Sequence, residues 1–144
     1  KKDIKSLIVL ADYYRIFQVL KNLLSNAIKY SEENSEIEIK LEKRKKVVNL
    51  SVIDSGIGIP KNHRKRVFER FYRIDKSRAK KKGGTGLGLA IVKHIIEGHK
   101  TKIKLKSKIN HGSRFSFNLK LAPNKKRNKK SLRKILKKQE VASL

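Results

Sequence analysis

Four of the chain's eight glycines, Gly83, Gly84, Gly86 and Gly88, fall within six positions, and an apolar run over residues 87–96 follows at once. Glycine is costly inside regular structure, so such a cluster marks backbone that turns sharply or comes close to something. A glycine loop opening into a helix leaves N–H groups pointing outward with the positive end of the helix dipole behind them. The chemistry that suits it is phosphate binding. A flexible surface loop uses the same residues, and the glycines alone do not separate the two readings. Two familiar phosphate loops are excluded. The Gly-Lys-Ser/Thr of the Walker pattern is absent, and residues 78–82 ahead of the cluster are basic, where a dinucleotide fingerprint needs a strand. A second cluster begins at Asp54, which ends an alternating segment and is followed by Gly56 and Gly58. An acid at the end of a strand is where ligands meet open sheets; a tight turn capped by Asp is the plainer alternative. A third signal is the recurrence of Gln18, Asn22, Asn26 and Lys29 at spacings of three and four. Asparagine is a poor helix former, and two of them one turn apart gain little on a solvated face, so the stripe reads as a polar site.

These residues need elements to hold them. Residues 3–10 read as a short strand, and Asp12 can cap the helix that follows. Ile16, Val19, Leu20, Leu23, Leu24, Ala27 and Ile28 have helical periodicity. Residues 37–41 and 48–52 alternate around a charged turn at 42–46, a hairpin whose second strand runs into Asp54. Val67, Phe68, Phe71 and Tyr72 fall at helical spacing within residues 61–73 and read as core rather than site. Residues 75–82 read as a mobile loop, 87–98 as a helix closed by Gly98, and 101–105 and 114–121 as two final strands. The order β-α-β-β-α-loop-α-β-β makes a two-layer α/β sandwich, a mixed sheet with helices on one face.

Length and composition set the bounds. A chain of 144 residues with 38% hydrophobic content can bury one real core. No run is long enough to cross a membrane, no signal peptide opens the chain, and the absence of cysteine fits an intracellular domain. A first residue of Lys1 is expected of a piece of something longer. The formal charge of +27 suits a polyanionic partner, but lysine is scattered through every surface segment, which a Lys-biased proteome also explains. Direct nucleic-acid binding lacks aromatic platforms interleaved with the basic residues. After Pro123 the composition turns almost wholly basic, with Leu132, Ile135 and Leu136 at helical spacing. The domain is therefore expected over residues 1–122, with 123–144 as a basic tail or short amphipathic helix that could touch an anionic membrane.

Taken in order, the motifs resemble the ATP-binding catalytic domain of two-component sensor histidine kinases, with the Bergerat fold shared with type II topoisomerases and heat-shock chaperones. Residues 18–30 resemble the N box, 54–60 the first glycine box, 68–73 the F box and 84–89 the second glycine box. The resemblance implies Mg²⁺ bound through the Asn26 amide oxygen, with Asn22 supporting the metal shell or the phosphates. It implies Lys29 against phosphate charge, Tyr30 against the nucleoside, and Asp54 accepting from the adenine 6-amino group. Gly56 and Gly58 would let backbone pass close to the base between the apolar walls of Ile59 and Leu89. Arg73 would sit near the γ-phosphate, residues 75–82 would form the mobile ATP lid, and the amides around Thr85, Gly86, Leu87 and Gly88, after Gly84, would hold the phosphates. Ser113 would reach adenine through water.

Departures limit the chemistry. Hydrolytic members of the fold carry a glutamate four residues before the metal asparagine; here that position is Asn22, which has no basic form, so efficient hydrolysis is not expected. His99, Lys100 and Thr101 stand where the family has His-Gly-Gly. His63, His94, His99 and His111 all lie within the ATP domain and read as structural or surface residues, so the acceptor histidine is expected on a dimerisation domain upstream of Lys1. The resemblance further implies a response regulator as partner, a homodimeric full-length protein, and a cytoplasmic module of a chain that can be membrane-anchored. The competing reading is a degenerate nucleotide-binding or basic interaction module without phosphotransfer.

Overall fold

The computed structural model describes residues 7–74 and 85–123 of the 144-residue chain. The loop at 75–82, Gly83, Gly84 and the basic tail from Asn124 therefore lie outside the described residues. Strand β1 is short, Val9–Leu10, and Asp12 then caps helix α1, Tyr13–Tyr30, by accepting the Arg15 N–H on its Oδ1 at 3.0 Å. Strands β2, Ile37–Arg44, and β3, Val47–Asp54, pair over their whole length from Ile37↔Asp54 to Arg44↔Val47. The charged turn is thus shorter than its composition suggests: Glu42, Lys43 and Arg44 belong to the strand and only Lys45 and Lys46 turn. Lys40 and Arg44 hydrogen-bond Glu42 and hold its carboxyl below the usual carboxylate range.

Residues 61–73 do not form the expected helix. They make two 3-10 turns, Lys61–His63 and Arg66–Phe68. One turn suffices to bury Val67 and to set Phe68 edge-on against Phe115, with ring centroids 6.3 Å apart. Phe71, expected in the core, is instead 71% exposed and takes a left-handed φ of 62°. That reversal lets its N–H bond the Gly86 carbonyl at 3.0 Å. Helix α2, Gly88–Gly98, leads to strands β4, Lys104–Ser107, and β5, Ser113–Leu121. The left-handed residue after α2 is Lys100, at φ 56°, so a lysine makes the turn in place of a glycine.

The sheet runs β1-β5-β3-β2, with β4 beside β5 on the same side as β1. Every pairing among the described strands is antiparallel, where the sequence suggests a mixed sheet. Both helices cover one face, as expected of a two-layer sandwich. Leu50, Val52, Phe115, Phe117 and Leu119 point at Val19, Leu23 and Ala27 of α1 and at Val92, Ile95 and Ile96 of α2. The helices are also tied end to end. His99, after α2, sets Nδ1 2.8 Å from the Ile95 carbonyl, which it must donate to, and its Nε2 accepts the Asp12 N–H at 3.1 Å. The opposite face of the sheet is polar. Ser51 accepts from the Arg114 guanidinium at 3.0 and 3.2 Å and donates to Asn49, whose amide donates to Asn118.

Candidate functional site

Helix α1 buries Val19, Leu23 and Ala27, which turns Gln18, Asn22, Asn26 and Lys29 to one flank of the core, where each is half-buried. The two glycine segments meet the two ends of this stripe. At the near end, a Cβ on Gly88 would lie 3.4 Å from the Asn22 Oδ1, so α2 begins directly against Asn22. At the far end, the Ile57 N–H bonds the Tyr30 carbonyl at 3.1 Å, and a Cβ on Gly56 would sit 2.3 Å from that oxygen. Asn22 and Tyr30 are about 12 Å apart along the helix, with Asn26 between them. The expected residues of three motifs are thus assembled along one helical flank.

Asp54 closes the far end. Its Oδ1 accepts two backbone N–H groups, Gly56 at 3.0 Å and Ser113 at 3.1 Å. Among the described residues Oδ2 takes no hydrogen bond, so one oxygen is fixed and the other is open to a donor. Burial pushes its pKa up from the ordinary value of 3.8, and the Gly56 and Ser113 N–H bonds pull it back. The glycines here serve the chain itself. Gly58, at φ 71°, lies where a Cβ would come within 2.1 Å of the Lys108 carbonyl, and a Cβ on Gly112 would lie 1.8 Å from the Asp54 carbonyl. Ile59 and Leu89 are half-buried against the core, as walls would be.

At the near end, no side chain caps α2, and its first turn holds no acid. Thr85 is exposed and stands 3.4 Å from the Leu87 N–H it accepts. Gly86, at φ 72°, packs on the Phe71 backbone, and Arg73, two residues beyond Phe71, is half-buried. Lys29 lies 5.3 Å from the centre of the Tyr30 ring, which is 42% exposed. Gly84 lies outside the described residues.

Sequence reasoning missed Ser107. Its hydroxyl receives the Ile59 N–H at 2.7 Å and stands 2.9 Å from the Gly112 carbonyl and 3.0 Å from Ser113 Oγ, knitting the turn at 108–112 to the loop after Asp54. A lone serine in a lysine-rich strand carries no signal by which to find it. It also missed the contact of the His63 ring with the Tyr72 hydroxyl, with the Arg66 guanidinium 4.3 Å above the Tyr72 ring. A shallow depression of about 310 Å³ lies beyond Asp54, lined by Lys106, Ser107, Lys108, His111 and Arg114. No residue of α1 or α2 lines it, so it is not where the assembled motifs converge.

Among the described residues, an antiparallel sheet is thus covered on one face by two helices, with Asp54 at a strand end and the glycine-led start of α2 against Asn22. The chain belongs to the family described as histidine kinase-, DNA gyrase B- and HSP90-like ATPases, whose model matches residues 11–123. Among curated proteins it is 45% identical over 111 residues to the sensor-like histidine kinase SenX3 of Mycolicibacterium smegmatis, covering 77% of this chain and 29% of that one. It is 44% identical over 117 residues to the sensor histidine kinase WalK of Bacillus subtilis, covering 80% and 19%. The chain thus spans less than a third of the length of these relatives. Among solved structures, the catalytic domain of histidine kinase ThkA superposes with a TM-score of 0.71 at 38% identity, covering 84% of this chain and 77% of that one. Full-length ShkA in complex with AMPPNP gives 0.70 at 30% identity, covering 81% and 24%. The matched residues correspond to the ATPase-family part of these sensor histidine kinases. No described helix is long and apolar enough to cross a membrane.

Proposed function

We propose that this module binds Mg-ATP along α1 and donates the γ-phosphate to a histidine on a dimerisation domain of the full-length, homodimeric protein, for onward transfer to a response regulator. The observation that carries the reading is the divided carboxylate of Asp54, one oxygen held by two amides and the other open. An acceptor fixed in this way fits the 6-amino group of adenine and meets an unfavourable carbonyl in guanine. Tyr30 and Ile59 flank the base, with Leu89 as the opposite wall, while Ser113 positions Asp54 through its amide. Asn22 supports the phosphate end, where Lys29, Arg73 and the amides of residues 84–88 oppose the triphosphate charge.

Among the described residues no three His, Asp or Glu side chains converge to hold a metal. A divalent ion here needs oxygens from elsewhere, and the Asn26 amide oxygen together with the nucleotide's own phosphates is a hard donor set that fits Mg²⁺. Such an ion would draw charge off the phosphate oxygens during transfer. Asn22, packed against Gly88, has no basic form with which to deprotonate water, so the chain favours transfer over hydrolysis. The domain proper is assigned to residues 1–122, with 123–144 as its basic tail.

Calorimetric titration with ATP and with GTP tests the reading. ATP should bind roughly tenfold tighter or more, the value of one unpaired buried polar contact. Equal affinities would remove Asp54 from the adenine site.

A further inference from the structure

Among the described residues β2 is paired on one side only, by β3. The outward N–H and C=O groups of an eight-residue strand are therefore left open, the kind of edge that templates a further strand. We propose that this edge pairs with β2 of a second copy of the chain, antiparallel and centred on Leu41, joining two sheets into one. The assignment is independent of what the nucleotide site does.

Charge selects both the occupant and the register. Edge strands are commonly blunted by charged residues, but here the signs alternate. On the face away from the helices, Glu38, Lys40, Glu42 and Arg44 run minus, plus, minus, plus. Reversed, the same row runs plus, minus, plus, minus. With Leu41 opposite Leu41, Glu38 faces Arg44 and Lys40 faces Glu42, and each pair occurs twice by symmetry. Slipping by one step of the pleat in either direction sets Glu38 against Glu42 or Lys40 against Arg44. Opposite charges across a strand pair stabilise it and like charges oppose it.

The helix-facing side supplies apolar surface. Ile39 and Leu41 remain 49% and 48% exposed beside α1. On α1, Tyr13, Phe17, Leu20, Leu24 and Ile28 form a stripe on the side of the core opposite Asn22, and Phe17 and Ile28 are 57% and 69% exposed. In the proposed register both helical layers lie on the same side of the joined sheet, so each copy closes the other's uncovered flank. Two chains of formal charge +27 repel at long range. Yet Glu32, Glu33, Glu36, Glu38 and Glu42 are five of the twelve acidic residues, and against them residues 32–44 hold only Lys40, Lys43 and Arg44, so this segment carries little of the chain's positive charge. One strand edge and a flank make a small interface, of the weak and transient class.

Sedimentation equilibrium of the 144-residue chain at about 0.15 M salt, where the screening length is about 8 Å, tests the contact. A concentration-dependent dimer is expected. Glu38→Arg sets arginine against Arg44, and Arg44→Glu sets glutamate against Glu38; each alone should weaken association roughly tenfold or more. An equimolar mixture of the two variants should dimerise again, because each supplies the sign the other lacks, and the double variant E38R/R44E should recover self-association. A wild-type chain that stays monomeric at millimolar concentration overturns the proposal. So do single variants that associate like the wild type, or a mixture that stays monomeric.

Discussion

Asp54 gives one oxygen to the fold and leaves the other open, and folding and the proposed binding of adenine respond to its titration in opposite directions. Burial raises its pKa above 3.8, so the folded protein takes up this proton at a higher pH than the unfolded chain does. The protonated form is thus the one that folding favours. The stability contributed by this group is present below the unfolded pKa and is lost as pH rises through the folded one. Binding runs the other way, because the amine of adenine needs the ionised acceptor. On acidification the affinity of the wild type for ATP should fall earlier than an ordinary carboxylate would allow. Asp54→Asn should bind roughly tenfold more weakly at neutral pH, and should retain only the decline due to the phosphates of ATP. Titration calorimetry of both proteins from neutral to acid pH separates the cases. Parallel profiles would remove Asp54 from the base site.

At the scale of elements, the described glycines include some that backbone packing requires and one, Gly88, that meets only the Asn22 side chain. An added Cβ on Gly56 meets the carbonyl oxygen at the end of α1 at 2.3 Å, and backbone cannot swing aside as a side chain can. Gly56→Ala should cost about 1–3 kcal/mol or more of stability. An added Cβ on Gly88 meets only the Asn22 side chain, at 3.4 Å, and alanine is the better helix former by up to about 1 kcal/mol. Gly88→Ala should therefore melt at or above the wild-type temperature, and any loss should appear in nucleotide affinity, since the new methyl crowds Asn22. Thermal melts of the two variants check the order. A Gly88→Ala protein less stable than Gly56→Ala would reverse the assignment.

Across the whole molecule, three of the four histidines make structural contacts and the fourth lies on the surface. His63 contacts Tyr72, His99 joins the ends of the two helices, and His111 lies 2.9 Å from the Ile109 carbonyl. His94 is exposed on α2. None lies on a helical hairpin that could present it to a γ-phosphate. Incubated with radiolabelled ATP, the isolated chain should neither label itself nor release phosphate at a useful rate. The histidine-bearing dimerisation domain proposed for the full-length protein, added in trans, should become labelled, because holding the reactants together is worth several kcal/mol of barrier. Robust labelling of the isolated chain at any of its four histidines would refute a donor separated from its acceptor.

Much of this was legible in the order of residues. The period of Val19, Leu23 and Ala27 set α1 and, with it, the flank that carries Asn22 and Asn26, because side-chain direction on a helix follows from spacing alone. Alternation marked β2, β3 and β5, and Asp12 marked the start of α1 through its cap. Periodicity misled over residues 61–73, where Val67 and Phe68 needed only single 3-10 turns and Phe71 reversed to bond Gly86. What Gly56, Gly58 and Gly112 accommodate could not be read either. Their missing Cβ atoms make room for the backbone of Tyr30, Lys108 and Asp54 respectively, and each is remote in sequence from the glycine it meets. The division of Asp54 between two amides and an open oxygen depends on β5 lying beside β3, which no local pattern encodes. Sequence alone determined α1, α2 and strands β2, β3 and β5, and the flank of α1 that carries its asparagines. Only the tertiary structure decided how those residues meet, because close backbone approach and strand neighbours are set by packing between distant segments.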